Sequence, residues 1–184
     1  FTRNEGYQVS RELRKYGDLE SGWLPNSDND GLFTGLYCAS QCFRYAVTGD
    51  ADAKANAKKA VEAMIKLTEV TGKKGFTARA TRYSNEENFG TGNREEWHYC
   101  ENNPDCEWLG ETSSDEMSGH YAGFYLYYDL CADEEEKKEI CEAVCNITDH
   151  ILDNDGYLID KDGKPTSWAC WNESALNLDN AWMW

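Results

Sequence analysis

Apolar residues recur at helical intervals in four stretches of the chain. Leu32, Leu36, Phe43 and Val47 form the first stripe, and the turn and capping cluster Asn26-Ser27-Asp28-Asn29-Asp30-Gly31 opens its helix. Thr48-Gly49-Asp50 ends that helix and caps a second, from about Asp52 to Val70, with Ala57, Val61, Met64 and Thr68 on one face and lysines on the other. Met117, Tyr121, Phe124, Tyr128 and Cys131 mark a third. Ser113 with Glu116 three residues later is a capping box at its entrance, and Asp115 and Glu116 place negative charge at the positive end of the helix dipole. Asp133 with Glu136 repeats the signature before a fourth stripe, Ile140, Val144, Ile147 and Ile151. The pattern predicts two antiparallel helical hairpins, over about residues 31–71 and 113–152.

The hairpins match one another at an offset of 83 residues: Tyr45 meets Tyr128, Asp50 meets Asp133, Lys54 meets Lys137 and Val61 meets Val144. Repetition at this scale marks units that bury their apolar faces against neighbours, as in a solenoid or a closed ring. The offset also puts Asp28-Asn29-Asp30 and the cluster Glu111 to Glu116 at equivalent helix starts, so both are expected on one rim.

Elsewhere the periodicity fades. Residues 1–30 read as loop with a short helix near Val9 to Tyr16, and 72–112 as one long connection whose aromatics weigh against disorder. Tyr157-Leu-Ile-Asp160-Lys-Asp-Gly163-Lys-Pro165 predicts a small β-hairpin, and its glycines do not fit the register of a calcium-binding EF-hand loop. Residues 171–184 resemble the mouth of a third hairpin. Trp182, Met183 and Trp184 at its end suit another packed helix better than a free terminus.

Composition narrows the functional classes. The chain has 184 residues, 40% of them hydrophobic, a mean hydropathy of -0.77 and no apolar run long enough to cross a bilayer. A formal net charge of -16 disfavours nucleic acid and anionic membranes as partners, because both reward Lys and Arg. Eight cysteines without a CxxC pair point to an oxidising, extracellular setting, with buried free thiols as the alternative. Cys100 and Cys106, separated by a short loop containing Pro104, are the expected disulfide. Bridges Cys42–Cys141 and Cys38–Cys145 are open if the first and fourth helices touch, which leaves Cys131 for Cys170. Asn146-Ile-Thr148 and Asn172-Glu-Ser174 are acceptor sequons for N-glycosylation.

The polar density at the third helix start exceeds what capping needs. Glu111 and Asp28 precede their caps and are the best candidates for the acid and base of an inverting glycosidase, where two carboxyl groups leave room for a water. Asp115 competes with a plain capping role, and a lone helical histidine such as His120 is more often structural than catalytic. His98, beside Trp97 on the long connection, is better placed to meet a ligand. Asn29, Asp30, Trp97, Trp108 and Trp168 complete the set as substrate contacts, since aromatic faces stack on sugar rings, although tryptophans fill cores as readily. A polysaccharide lyase would use His98, or His120 with Tyr121, for proton transfer, and would need Arg79, Arg82 or Arg94 for an acidic sugar. The acidic rim makes it the weaker reading. No motif calls for a nucleotide, a cofactor or a metal.

Four runs carry a resemblance: Asn29-Asp30-Gly31-Leu-Phe-Thr-Gly-Leu-Tyr, Phe43-Arg-Tyr-Ala-Val-Thr-Gly-Asp50, Gly110-Glu-Thr-Ser-Ser-Asp-Glu116 with Gly119-His120, and Tyr157-Leu-Ile-Asp-Lys-Asp-Gly-Lys-Pro-Thr. They resemble extracellular six-hairpin (α/α)-toroid proteins, related in architecture to six-hairpin glycosidases and polysaccharide lyases. The resemblance implies fold and carbohydrate context but no particular reaction. The expected fold is therefore all-α: repeated antiparallel helical hairpins forming part of an (α/α) toroid, with a small β-hairpin near the C-terminus. Residues 1–184 would be a single segment of a larger ring, completed by further polypeptide of the same chain or by other chains. The expected function is a secreted carbohydrate-active protein, with a non-catalytic structural or glycan-binding protein of the same fold as the alternative.

Overall fold

The computed structural model describes residues 2–172. A two-stranded ribbon, β1 (Glu12–Leu13) with β2 (Gly22–Trp23), precedes helices α1 (Asp30–Thr48) and α2 (Ala51–Glu69). Strands β3 (Ala80–Tyr83), β4 (Trp97–Cys100) and β5 (Asn103–Leu109) follow, then α3 (Ser114–Leu130), α4 (Glu134–Asp153) and the hairpin β6 (Tyr157–Ile159) and β7 (Pro165–Cys170). Seven strands in three sheets stand beside four helices, so the fold is mixed α/β and the expected all-α toroid of repeated hairpins is overturned. The strands come from segments read as loop. Residues 72–112 fold largely into an antiparallel sheet of order β3-β5-β4, in which Arg82 and Glu107 are buried as an ion pair at 2.7 Å. Charged residues at buried strand positions erase the alternation by which a strand is recognised. The helix expected near Val9 to Tyr16 is instead the β1–β2 ribbon region, with Tyr7 and Val9 buried just before it.

Helix ends follow local chemistry in three places. Gly49, at φ 69°, closes α1 in the left-handed conformation that glycine adopts without strain, and donates to the Tyr45 carbonyl. The Asp50 side chain accepts from Asp52 N–H to open α2. Asp133 and Glu136 form a complete capping box at α4. The fourth signature behaves differently. Ser113 makes no side-chain cap bond, and Glu116 accepts instead from the backbone N–H groups of Gly31 and Leu32 at 2.9 and 3.3 Å. A side chain of α3 thus caps α1.

That contact belongs to the closest packing in the molecule. α1 and α3 run side by side in the same direction through Gly31, Gly35, Gly119 and Gly123. A Cβ on Gly35 would fall inside the Gly119 carbonyl, and one on Gly119 would overlap the Leu32 backbone. The buried stripe of α1 is accordingly Gly31, Thr34, Gly35, Cys38 and Cys42. The stripe expected to be core is not: Leu36, Phe43 and Val47 are 55%, 54% and 85% exposed. Small residues win because they let two backbones approach, gaining dispersion contacts along their length. The core beneath combines Ala57, Val61 and Met64 of α2 with Phe76, Trp108, Phe124, Tyr127, Ile140 and Ile147.

Cys100 and Cys106 lie at disulfide distance, with Cα atoms 5.5 Å apart. The bridges between the first and fourth helices do not form: Cys38 and Cys42 are buried, whereas Cys141 and Cys145 are exposed. Cys131 and Cys170 are likewise unbonded to each other. No helix among the described residues is long and apolar enough to cross a membrane. The expectations for a third hairpin and for Trp182, Met183 and Trp184 lie outside the described residues.

Candidate functional site at the shared helix rim

Because Glu116 ties the start of α3 to the start of α1, the loops entering both helices share one rim. Arg79, just before β3, links them: Nε donates to the Asp28 carbonyl at 2.6 Å, Nη1 to the Glu111 carbonyl at 3.3 Å, and Nη2 lies 3.6 Å from the Asp28 carboxylate. Glu111 has φ 53°, a left-handed conformation unusual for a residue with a side chain. Two bonds hold it there. Its N–H donates to Asp160 Oδ2 at 2.7 Å, and its Oε2 accepts from the Ser167 N–H at 2.9 Å. Gly110 has no Cβ because Asp160 occupies that space. Strain held by surrounding bonds is a common property of functional loops.

Asp160 escaped the sequence reading. It is 7% exposed at the end of β6, accepts from Lys161 N–H at 2.5 Å and from Glu111, and offers its carbonyl to Lys73 Nζ at 2.8 Å. In sequence it is one acid of a Lys-Asp-Gly turn, and nothing local reveals that it pins a loop 49 residues away. Arg79 escaped in the same way, since only the fold places it between Asp28 and Glu111.

The rim gathers some predicted residues and withdraws others. Asp28 is exposed, Asn29, Glu111 and Asp115 are half-buried, and Trp168 is 63% exposed next to Ser167. His98 is half-buried against Trp108, ring centroids 4.5 Å apart, and burial together with nearby Lys161 and Arg94 lowers its pKa against the pull of Asp160. Four expectations need correction. Asp30 is fully buried, paired with Arg3 at 2.5 Å and accepting from Thr81 N–H, so it contacts no substrate; burial pushes its pKa up to about 7. His120 is fully buried, its Nδ1 2.8 Å from the Glu116 carbonyl, and burial pushes its pKa down to about 4. Trp97 is covered by the Arg82 guanidinium at 3.7 Å. Trp108 is core, edge-on to Phe76 at 6.2 Å. Each is held inside by packing that a sugar would have to displace.

The cations needed by a lyase are similarly committed. Arg82 and Arg94 both bind Glu107 at 2.7 Å, and the Tyr121 hydroxyl bonds Thr148 Oγ1 at 2.9 Å. Among the sequons, Thr148 of the first also donates to the Val144 carbonyl within α4, and Asn172 Nδ2 of the second donates to the Asp155 carbonyl. Beside the rim, a cleft of about 530 Å³ runs between α3 and α4, lined by Ser114, Met117, Tyr121, Ile151, Leu152 and Trp171.

The chain matches no protein-family model, no curated protein and no solved structure.

Proposed function

We propose that this is an extracellular carbohydrate-active protein whose glycan-contacting surface is the rim formed by Asp28, Arg79, Glu111 and Trp168. One observation carries the reading. Three runs that resemble carbohydrate-active proteins, those of Gly31, of Glu111 to Glu116 and of Asp160, are distant in sequence yet bonded to one another at this rim. In the hydrolytic form, Glu111 donates a proton to the leaving glycosidic oxygen, and Asp28 takes one from the attacking water. Arg79 fixes the spacing of the two loops. Trp168 offers an aromatic plane to a sugar ring, with its neighbour's N–H already bound to Glu111. The extracellular setting rests on the cysteine content and the Cys100–Cys106 pair.

A glycan array followed by a reducing-end release assay tests this. Binding that falls about tenfold in Trp168→Ala, with turnover lost in Glu111→Gln and Asp28→Asn while binding persists, supports the hydrolase. Binding without release reduces the function to glycan recognition, and no binding ends the proposal.

A second, non-catalytic reading has its own observation. Phe33, Leu36, Ser40, Phe43 and Val47 lie exposed along α1 at spacings of three and four, the seam of a helix that receives another helix. On that reading the chain is a structural module, and a further helix of the same polypeptide covers the seam. Leu36→Asp would then disrupt assembly of the longer protein and leave glycan binding unchanged.

A further inference from the structure

Three thiols meet in the core toward the C-terminal ends of α1 and α3. Cys38 and Cys42 are fully buried on α1, and Cys131 is 5% exposed as the residue that ends α3. The sulfurs of Cys38 and Cys42 are 3.9 Å apart, and Cys42 shares a hydrogen bond with Cys131. Their neighbourhoods differ. The Cys38 thiol faces two backbone carbonyls, of Ala57 at 3.6 Å and Gly123 at 3.8 Å. Cysteines one turn apart on one helix are poorly oriented to bond each other. Cys42 and Cys131 come from different elements, and Cys131, at φ -130°, has left the helical backbone. The remaining cysteines lie elsewhere: Cys100 with Cys106 on the sheet, Cys141 and Cys145 exposed on α4, and Cys170 against Tyr157.

We propose that Cys42 and Cys131 form a second disulfide when the chain folds under oxidising conditions, fastening the end of α1 to the end of α3. The two S–H bonds break and one Sγ–Sγ bond forms. Two protons and two electrons pass to an acceptor disulfide, such as oxidised glutathione, which is reduced to two thiols. Timing follows from chemistry. Burial raises both thiols, Cys131 to about 12, so the attacking thiolate is scarce once the core has closed. Exchange therefore belongs to folding, while both sulfurs still meet solvent. Glu116 and the glycine contacts hold the two helices together at their starts. The disulfide holds them at their ends.

The test refolds the reduced 184-residue chain in a glutathione redox buffer, quenches free thiols by alkylation and maps the peptides by mass spectrometry without reduction. The expected map links Cys42 to Cys131 and Cys100 to Cys106, with Cys38 alkylated. Alkylated Cys42 and Cys131 beside an intact Cys100–Cys106 link overturns the proposal, as does Cys42 joined to any other cysteine. Melting of the variants gives a second readout. Cys38→Ser retains the difference in Tm between oxidised and reduced protein, whereas Cys42→Ser loses roughly 5 to 15 °C of it. Equal loss in both variants assigns the bridge wrongly.

Discussion

Two helices in this protein begin with the same signature, and it does different work in each. At α4, Asp133 accepts from the backbone of Glu135 and Glu136 while Glu136 accepts from Asp133 N–H, a closed local exchange at the surface. At α3, Ser113 bonds nothing through its hydroxyl among the described residues, and Glu116 reaches across to the first N–H groups of α1. The two starts differ in what stands opposite. α4 opens toward water, whereas α3 opens against the backbone of α1, which Gly31 and Gly119 bring within reach of a glutamate. A capping signature therefore specifies acceptors near a helix start, and the fold chooses the donors.

The largest test of that difference is Glu116→Ala. It strands two buried N–H groups and leaves a void beside His120, and about 3 kcal/mol of stability should disappear in urea unfolding. Asp133→Ala should cost only about 1 kcal/mol as a lost surface cap. Similar losses at the two sites would erase the distinction. Next in size is Gly35→Ala, expected to destabilise by about 2 kcal/mol because its methyl must push α1 away from α3. A neutral outcome would mean that the helices are not in backbone contact.

Titration sharpens the comparison further. Burial raises Asp30 to about 7, above about 3.9 in the unfolded chain, so its contribution to stability is full below about pH 4 and is lost as the pH rises through about 7. Glu116 is raised in the same sense by its burial. His120, lowered to about 4, acts oppositely: its contribution is full above about pH 6.5 and is lost as the pH falls through about 4. The wild type partly masks these trends, but a difference between variants does not. The stability of the wild type relative to Asp30→Asn should decline steadily between pH 4 and pH 8, read from urea unfolding at several pH values. A flat difference would place the Asp30 titration outside that range. The smallest expected effect is at the exposed end of the same rim, where Asp28→Asn should change stability by less than about 0.5 kcal/mol.

These contrasts explain what was legible. The helix starts at Asp50 and Asp133 and the turn at Gly49 could be read directly, because capping acts over three or four residues. The sheet built from residues 80–109 could not, since its central strands bury Arg82 and Glu107 against each other and carry no clean alternation. The rim was partly legible. Glu111 and Asp28 stand out as acids beyond the needs of capping, but Asp160 and Arg79 acquire their roles only through contacts 32 to 51 residues away in sequence. Asp30, His120, Trp97 and Trp108 have the residue types of a binding site, and burial turns them into supports.

What the sequence determined by itself was local: four helices, their caps, the turn between β6 and β7, and the Cys100–Cys106 loop. What the tertiary structure decided was which face of each element turns inward. Residue size alone favoured Leu36, Phe43 and Val47 for the core of α1, but glycines at 31, 35, 119 and 123 let two backbones meet, and that contact rotated the large side chains into solvent. The same rotation carried Glu116 beneath the start of α1 and left Glu111 and Asp28 at the rim. Periodicity measures hydrophobicity along one element, whereas close packing depends on the shape of two elements together.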